Sequence, residues 1–115
     1  MQDFKNIGAW QKAHALVLSV YHETQTMPRE EVFGVTMQLR RGAMSVATRI
    51  AEGSGRTSDA EFAVDLRRAA ASSNELEYLM LLTRDLGHWK PDVCERLVAD
   101  AVEVRKMIFG LVRKL

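Results

Sequence analysis

Apolar residues recur along most of the chain at alternating steps of three and four, which is the spacing of one face of an α-helix. The two prolines, Pro28 and Pro91, fall where this pattern is interrupted, so the segments between them contain no helix breaker of this type. The pattern therefore predicts four helices joined by short connections.

The first two helices each carry one predicted buried stripe. In the first helix the stripe ends at the Met27-Pro28 break and consists of Trp10, Ala13, Val17, Val20 and Thr24. The second helix begins at about Glu31 or Val35, ends at Glu52, and buries Val35, Leu39, Val46 and Ile50. We expect the following Gly53-Ser54-Gly55 to terminate it, because glycine readily adopts left-handed backbone conformations.

The last two helices have recognisable first turns. Ser58 and Glu61 have the spacing of a capping box, and Pro91 suits the first turn of a helix. The third helix extends toward Gly87 with a stripe of Phe62, Leu66, Ala69, Ser73, Leu76 and Met80. The fourth continues the spacing through Cys94, Leu97, Ala101, Val104, Ile108, Leu111 and Leu115. Short connections make consecutive helices antiparallel, so we predict an all-α, up-down-up-down four-helix bundle that forms a single domain over residues 1–115.

Two additional apolar stripes lie nearly opposite the predicted core faces of the second and third helices. A lone bundle would leave both stripes in water, so we predict that they form the interface of a homo-oligomer. A broader core with a few exposed methionines is the alternative. The stripe residues are Met37, Met44 and Ala51 on the second helix and Val64, Ala71, Tyr78 and Leu82 on the third.

Charge is balanced over the whole chain but not along it. The 115 residues carry a formal net charge of +1, which excludes the global basic excess typical of nucleic-acid binders. Residues 35–56 contain four arginines and one glutamate, whereas residues 57–90 contain four basic and six acidic residues. We therefore expect arginines of the second helix to pair with acids of the third, within or between subunits. The arginines are Arg40, Arg41 and Arg49, and the acids are Glu75, Glu77, Asp65 and Asp85.

Composition also bears on the compartment. With 47% hydrophobic residues the chain can build a core without disulfides or metal, and Cys94 is its one cysteine. The N-terminus lacks the pattern of a secretory signal, and no apolar run approaches the ~20 residues that span a bilayer. We expect a soluble cytoplasmic protein without a membrane partner.

No residue pattern predicts an enzyme, a metal or a cofactor. A di-iron bundle needs glutamate followed three residues later by histidine, which does not occur here. His14 and His22 are more typical of solvent-facing or aromatic-packed histidines than of ligands, and Cys94 is expected to act as a small buried hydrophobe. Gly53-Ser54-Gly55-Arg56, before the Ser58 cap, could hold an anion at the start of the third helix, although a tight interhelix turn is favoured.

Two binding functions remain open at this point. Basic residues that a homo-oligomer would repeat could hold RNA or DNA through many weak phosphate contacts. A scaffold or protein-interaction module, which presents helix ends to an unidentified protein, is favoured over nucleic-acid binding because there is no stacking platform or reader motif. The candidate phosphate-binding residues are Arg40, Arg41, Arg49, Arg56, Arg105, Lys106, Arg113 and Lys114.

The order of motifs resembles the small four-helix-bundle proteins encoded by intervening sequences of bacterial 23S rRNA genes, over nearly the whole chain. The early motifs are Phe4, Trp10 with Ala13, Tyr21 with Thr24, Pro28 and Gly34. The most specific ones are Gln38-Leu39-Arg40-Arg41, Ser45-Val46, Ile50-Ala51-Glu52-Gly53 and Arg56, then Glu61-Phe62, Ser73 and Glu75-Leu76-Glu77. The chain departs from the pattern at Arg49, where asparagine is common, and at Gly42, where alanine is common.

This resemblance implies a cytoplasmic bundle that assembles as a ring, a homopentamer, with no established biochemical activity. A related branch resembles accessory proteins of diversity-generating retroelements, which are basic rings associated with a reverse transcriptase and nucleic acid. The net charge of +1 weakens that second analogy.

Overall fold

The structure, a computed structural model, describes residues 2–115 and contains four α-helices within that range. They are α1 (Gly8–Glu23), α2 (Val35–Ser54), α3 (Asp59–Asp85) and α4 (Pro91–Lys114), with short 3-10 turns at Phe4–Asn6 and Arg29–Glu31. Each helix packs against the next and α1 packs against α4, whereas the backbones of the diagonal pairs, α1 with α3 and α2 with α4, do not approach closely. The result is an antiparallel four-helix bundle measuring 43 × 23 × 20 Å, which confirms the predicted fold class.

The predicted stripes of α2 and α3 are all buried. In α4 the stripe is buried from Cys94 to Ile108, but Leu111 is half-buried and Leu115 is 37% exposed. Leu111 still packs against the core, whereas Leu115 follows the last residue of α4, so the predicted stripe is wrong at Leu115. In the α1 stripe the residues Ala13, Val20 and Thr24 are buried as predicted. Trp10 and Val17 are half-buried and pack against the core, and their neighbours Ala9 and Leu16 are the buried residues.

The helix starts agree with the sequence. Ser58 accepts a hydrogen bond from the backbone N–H of Glu61, as the N-cap of α3 should. Pro91 occupies the first turn of α4, where its missing N–H has no partner to lose. Gly87, just after α3, has a φ of +83°, so a left-handed glycine follows this helix end.

The predicted role of glycine at the end of α2 is wrong. Gly53 lies inside the helix and is buried, and Gly55 has a φ of −87°, outside the left-handed region. A Cβ placed on Gly53 would lie 2.8 Å from Cδ1 of Phe62 and 2.9 Å from Cβ of Asp65. Glycine is therefore required here because α3 approaches the α2 backbone closely.

The connections at one end of the bundle tie the helices together. Trp89, between α3 and α4, donates from Nε1 to the backbone carbonyl of Glu23 at 2.9 Å, which satisfies an oxygen near the end of α1. His88 Nε2 lies 3.0 Å from Glu31 Oε2, and the other oxygen of Glu31 accepts from the N–H of Val35 at the start of α2. One glutamate thus joins the two connections.

Candidate interaction surfaces

Arg56 is engaged by an acid of its own chain. Its Nε donates to Oδ2 of Asp65 at 2.7 Å, and the Asp65 side chain is 5% exposed. This hydrogen bond, followed by the charge of Asp65, raises the pKa of the Arg56 guanidinium. Arg56 therefore serves to neutralise a buried carboxylate at the α2–α3 turn.

The anion site considered for this turn is filled by a side chain of α3. Thr57 and Ser58 donate from their hydroxyls to Oε1 of Glu61, at 3.2 and 3.0 Å. The carboxylate of Glu61 therefore lies at the positive end of the α3 dipole. This region is therefore a tight interhelix turn, which is the alternative that the sequence favoured.

Arginines of α2 do not pair with acids of α3 inside one chain, so the intrachain form of that prediction is wrong. Arg40 Nε donates to Thr24 Oγ1 at 2.9 Å, and its guanidinium carbon lies 4.5 Å from the ring centre of Tyr21. Arg49 donates to Ser45 of its own helix at 3.2 Å. Within residues 2–115, Arg41 makes no ion pair. These contacts direct Arg40 toward α1 instead of α3.

Acids of α3 find other partners. Arg105 of α4 donates to Glu77 at 2.8 Å and lies 3.4 Å from the hydroxyl of Ser73, while Asp65 is held by Arg56. Lys106, Arg113 and Lys114 form no ion pair among the described residues of the chain. Because α2 and α4 lie diagonally across the bundle, the eight candidate phosphate-binding residues do not form one patch on a single chain.

His14 and Cys94 each contact a residue of their own chain. His14 stacks on Trp10 with ring centres 5.1 Å apart. Cys94 is 1% exposed, donates to the carbonyl of Met80 at 3.5 Å, and has a pKa raised by burial. In the part of the chain that is described, no group of three or more His, Cys, Asp or Glu side chains is placed to hold a metal ion.

The apolar stripe of α2 adjoins α1. Met44 and Ala51 line a groove of about 320 Å³ with Trp10, His14 and Val17 of α1. Met44 is 39% exposed, and its sulfur lies 3.6 Å from the hydroxyl of Tyr21. We call this surface the α1/α2 groove; its lining residues are Trp10, His14, Val17, Met44, Ala47, Thr48, Ala51 and Glu52. Met37 lies at the other side of Met44, in a separate cleft near the end of α1.

The apolar stripe of α3 forms an outward face, here called the α3 ridge and made of Val64, Ala71, Tyr78 and Leu82. Tyr78 is 61% exposed and Val64 is 45% exposed, while Leu82 is half-buried.

Sequence reasoning missed Phe109 of α4, which is 41% exposed and lies seven residues after Val102 on the same side of its helix. That seven-residue spacing is the signal that identifies it.

Sequence reasoning also missed Phe33, in the connection between α1 and α2, whose side chain is 84% exposed. It lies outside the helices, where periodicity carries no information. The α1/α2 groove and the α3 ridge are both formed by helices, so Phe33 belongs to neither candidate surface.

The helices that carry these surfaces include α2 with 20 residues and α3 with 27, but neither is apolar enough to match its length. None of the helices in residues 2–115 combines the length and the hydropathy that crossing a bilayer would require.

A family comparison agrees with this architecture. The family model described as 23S rRNA-intervening sequence protein matches residues 5–110. The chain belongs to this family. The match to the 23S rRNA-intervening sequence family covers all four helices except the last four residues of α4.

A solved structure is similar over almost the same range. It is the 1.70 Å crystal structure of a protein of unknown function from the S23 ribosomal protein family of Bacteroides thetaiotaomicron. The TM-score is 0.81 at 20% sequence identity, and the similarity covers 90% of this chain and 97% of that one. At this identity the similarity shows a shared fold. No curated protein matches the chain.

Proposed function

We propose that this protein is a self-assembling scaffold in which the α1/α2 groove of one copy receives the α3 ridge of the next. The observation that carries the proposal is the presence of two exposed apolar surfaces on different sides of the bundle. One is the concave groove that includes Met44, and the other is the α3 ridge, on which Tyr78 is the most exposed side chain. Large apolar side chains exposed on a helix face are found at interaction sites.

The size of the Tyr78 side chain supports this pairing. An aromatic side chain buries roughly 150–250 Å² when it is fully enclosed, so docking of Tyr78 in the groove would bury a large apolar area of the ridge. The groove has a volume of about 320 Å³ and is lined mainly by apolar and aromatic side chains. Such anchors at the centre of a contact contribute most of its binding energy.

The contact is heterologous, since a copy offers a different surface to each neighbour. Heterologous contacts generate a ring when the rotation between neighbours closes. A homopentameric ring, which the family resemblance implies, is the closed form that we propose. Its function is to present repeated helix ends to another protein in the cytoplasm, and we assign it no catalytic role.

Single substitutions that each introduce a negative charge test whether the protein assembles, which is the first requirement of this function. Met44→Glu in the groove and Tyr78→Glu on the ridge should each yield a folded species of lower mass in light scattering, because burying an unpaired carboxylate opposes association. Leu86→Glu is the matched control, since Leu86 is 50% exposed but lies outside both surfaces. An assembly of unchanged mass with both variants would overturn the proposed interface.

Nucleic-acid binding is the second candidate, supported by one observation. Lys106, Arg113 and Lys114 are exposed cations in the second half of α4 and have no ion pair within the described residues. A ring would repeat them and make weak phosphate contacts additive. Fluorescence anisotropy with RNA and duplex DNA across a salt series distinguishes the candidates. Salt-sensitive binding that is lost in an Arg113→Ala, Lys114→Ala variant favours nucleic acid, and no binding at low salt favours the protein scaffold.

A further inference from the structure

A second concave site lies beside the α1/α2 groove, where α1 ends and α2 begins. It has a volume of about 350 Å³, within the range of small-molecule sites in proteins. Thr24 and Gln25 contribute from the end of α1, and Thr36, Arg40 and Arg41 contribute from α2. We call it the helix-end cleft. Its remaining lining is apolar or aromatic and includes Tyr21, Met27, Met37 and Met44.

Thr36 is the feature of this cleft that the fold leaves unexplained. The residue is 7% exposed, and its Oγ1 has no hydrogen-bond partner among residues 2–115. A helical threonine commonly donates to the carbonyl four residues earlier, as Thr24 does to Val20 at 2.7 Å and Thr83 does to Leu79 at 2.7 Å. A buried hydroxyl without a partner is costly, which points to a group that completes it.

The charges of the cleft are all of one sign. Arg40 and Arg41 line it, and no acidic side chain does. The guanidinium of Arg40 is held in place by Thr24 and Tyr21 through its Nε and its face, so its terminal nitrogens are presented by a fixed group. The N-terminus of α2 is already capped by the carboxylate of Glu31, which accepts from the N–H of Val35, so Arg40 and Arg41 carry the positive charge of the cleft.

We propose that the helix-end cleft binds an organic oxyanion, a carboxylate or phosphate group carried on an apolar body. Arg40 and Arg41 hold the oxyanion, and the hydroxyl of Thr36, which is enclosed in the free protein, completes its hydrogen bonds when the threonine side chain rotates toward the cleft. The methionines of the cleft contact the apolar body, since their flexible side chains adapt to ligands of different shape. This proposal does not depend on the assembly proposed above.

Methyl NMR of methionine tests it on the intact protein, after its assembled mass has been measured in the same buffer. Phenyl phosphate and phenylacetate are the probes, with inorganic phosphate and benzyl alcohol as partial probes. We expect the methyl resonances of Met27, Met37 and Met44 to shift with an aromatic anion, while those of Met80 and Met107, outside the cleft, stay unchanged. The stronger of the two anions identifies the oxyanion as phosphate or carboxylate.

Two variants separate binding from folding. Arg41→Ala should weaken the affinity for the better probe roughly tenfold or more, because it removes a hydrogen bond to a charged group. Thr36→Val should weaken it about fivefold while the melting temperature stays equal or rises, since its hydroxyl has no partner in the free protein. Arg113→Ala, an exposed cation on α4, is the control and should bind as the parent does.

Several results would overturn the proposal. One is the absence of methionine shifts with both aromatic anions at millimolar concentration. Another is binding of benzyl alcohol as tightly as the anions, because the cleft would then be an apolar pocket without anion recognition. An Arg41→Ala variant with unchanged affinity would also contradict it.

Discussion

Gly53 and Gly42 both lie inside α2 and are both buried, yet their surroundings differ. A Cβ on Gly53 would be 2.8 Å from Phe62, whereas the nearest atom to a Cβ on Gly42 would be Leu76 Cδ1 at 3.5 Å. Gly53→Ala should lower the melting temperature, because overpacking costs about 1–3 kcal/mol and alanine regains only about 1 kcal/mol of helix propensity.

Gly42→Ala is the matched control for this prediction. Ordinary contact at 3.5 Å leaves room for the methyl group, so the variant should be as stable as the parent or more stable by up to about 1 kcal/mol. Thermal unfolding of the two variants checks this contrast. Equal melting temperatures would show that α3 does not approach Gly53 as closely as described.

The pKa of Cys94 gives a pH-dependent prediction. Burial raises the pKa of the thiol in the folded protein, so the unfolded chain ionises first as pH rises. The unfolded state then binds fewer protons than the folded state, and stability falls above about pH 8.5, the usual thiol pKa. Urea unfolding at pH 8 and pH 10 should show a larger loss for the parent than for Cys94→Ala. A loss of equal size in both proteins would contradict the assignment.

The elements themselves follow from apolar periodicity and end signals. The stripes from Val35 to Ile50 and from Phe62 to Met80 were readable because a helix buries the same face turn after turn. The mistake at Gly53 has a different origin, since its close contact is with Phe62 and Asp65 of another helix. No spacing along the sequence records how near two helix axes approach.

Ser58 tests how an individual helix is started. Its hydroxyl oxygen accepts from the N–H of Glu61 at 3.2 Å, and its hydroxyl lies 3.0 Å from the Glu61 carboxylate. Ser58→Ala should destabilise the protein by about 1 kcal/mol, the usual contribution of an N-cap. Ser19→Ala is a control that should change stability little, because Ser19 is only half-buried and lies inside α1, away from its cap. Chemical denaturation would refute the cap's role if both variants matched the parent.

Ion pairs between elements were less predictable than the helices. The charge counts of α2 and α3 are complementary, but Glu77 pairs with Arg105 of α4, and Arg40 contacts Tyr21 and Thr24 of α1. Counting charges along a helix does not specify which neighbour lies beside each residue. The missing hydrogen-bond partner of the Thr36 hydroxyl could not be predicted either. A threonine in a helix normally donates to a backbone carbonyl of the preceding turn.

At the scale of the whole molecule, the α1/α2 groove and the α3 ridge are the features that a single bundle leaves unused. The sequence indicated both stripes through seven-residue spacing, but it did not show that Met44 lies in a groove with Trp10 while Tyr78 stands on another side. This separation is what makes the proposed contact heterologous and lets one copy contact two neighbours.

Mixing the two interface variants tests that claim most directly. Met44→Glu keeps an intact ridge and Tyr78→Glu keeps an intact groove, so each variant alone should remain a single chain of 13.0 kDa. Combined in equal amounts, they can form one groove-ridge contact, and light scattering should detect a species with twice the mass of one chain. A mixture that stays at the mass of a single chain would contradict the heterologous contact and with it the proposed scaffold.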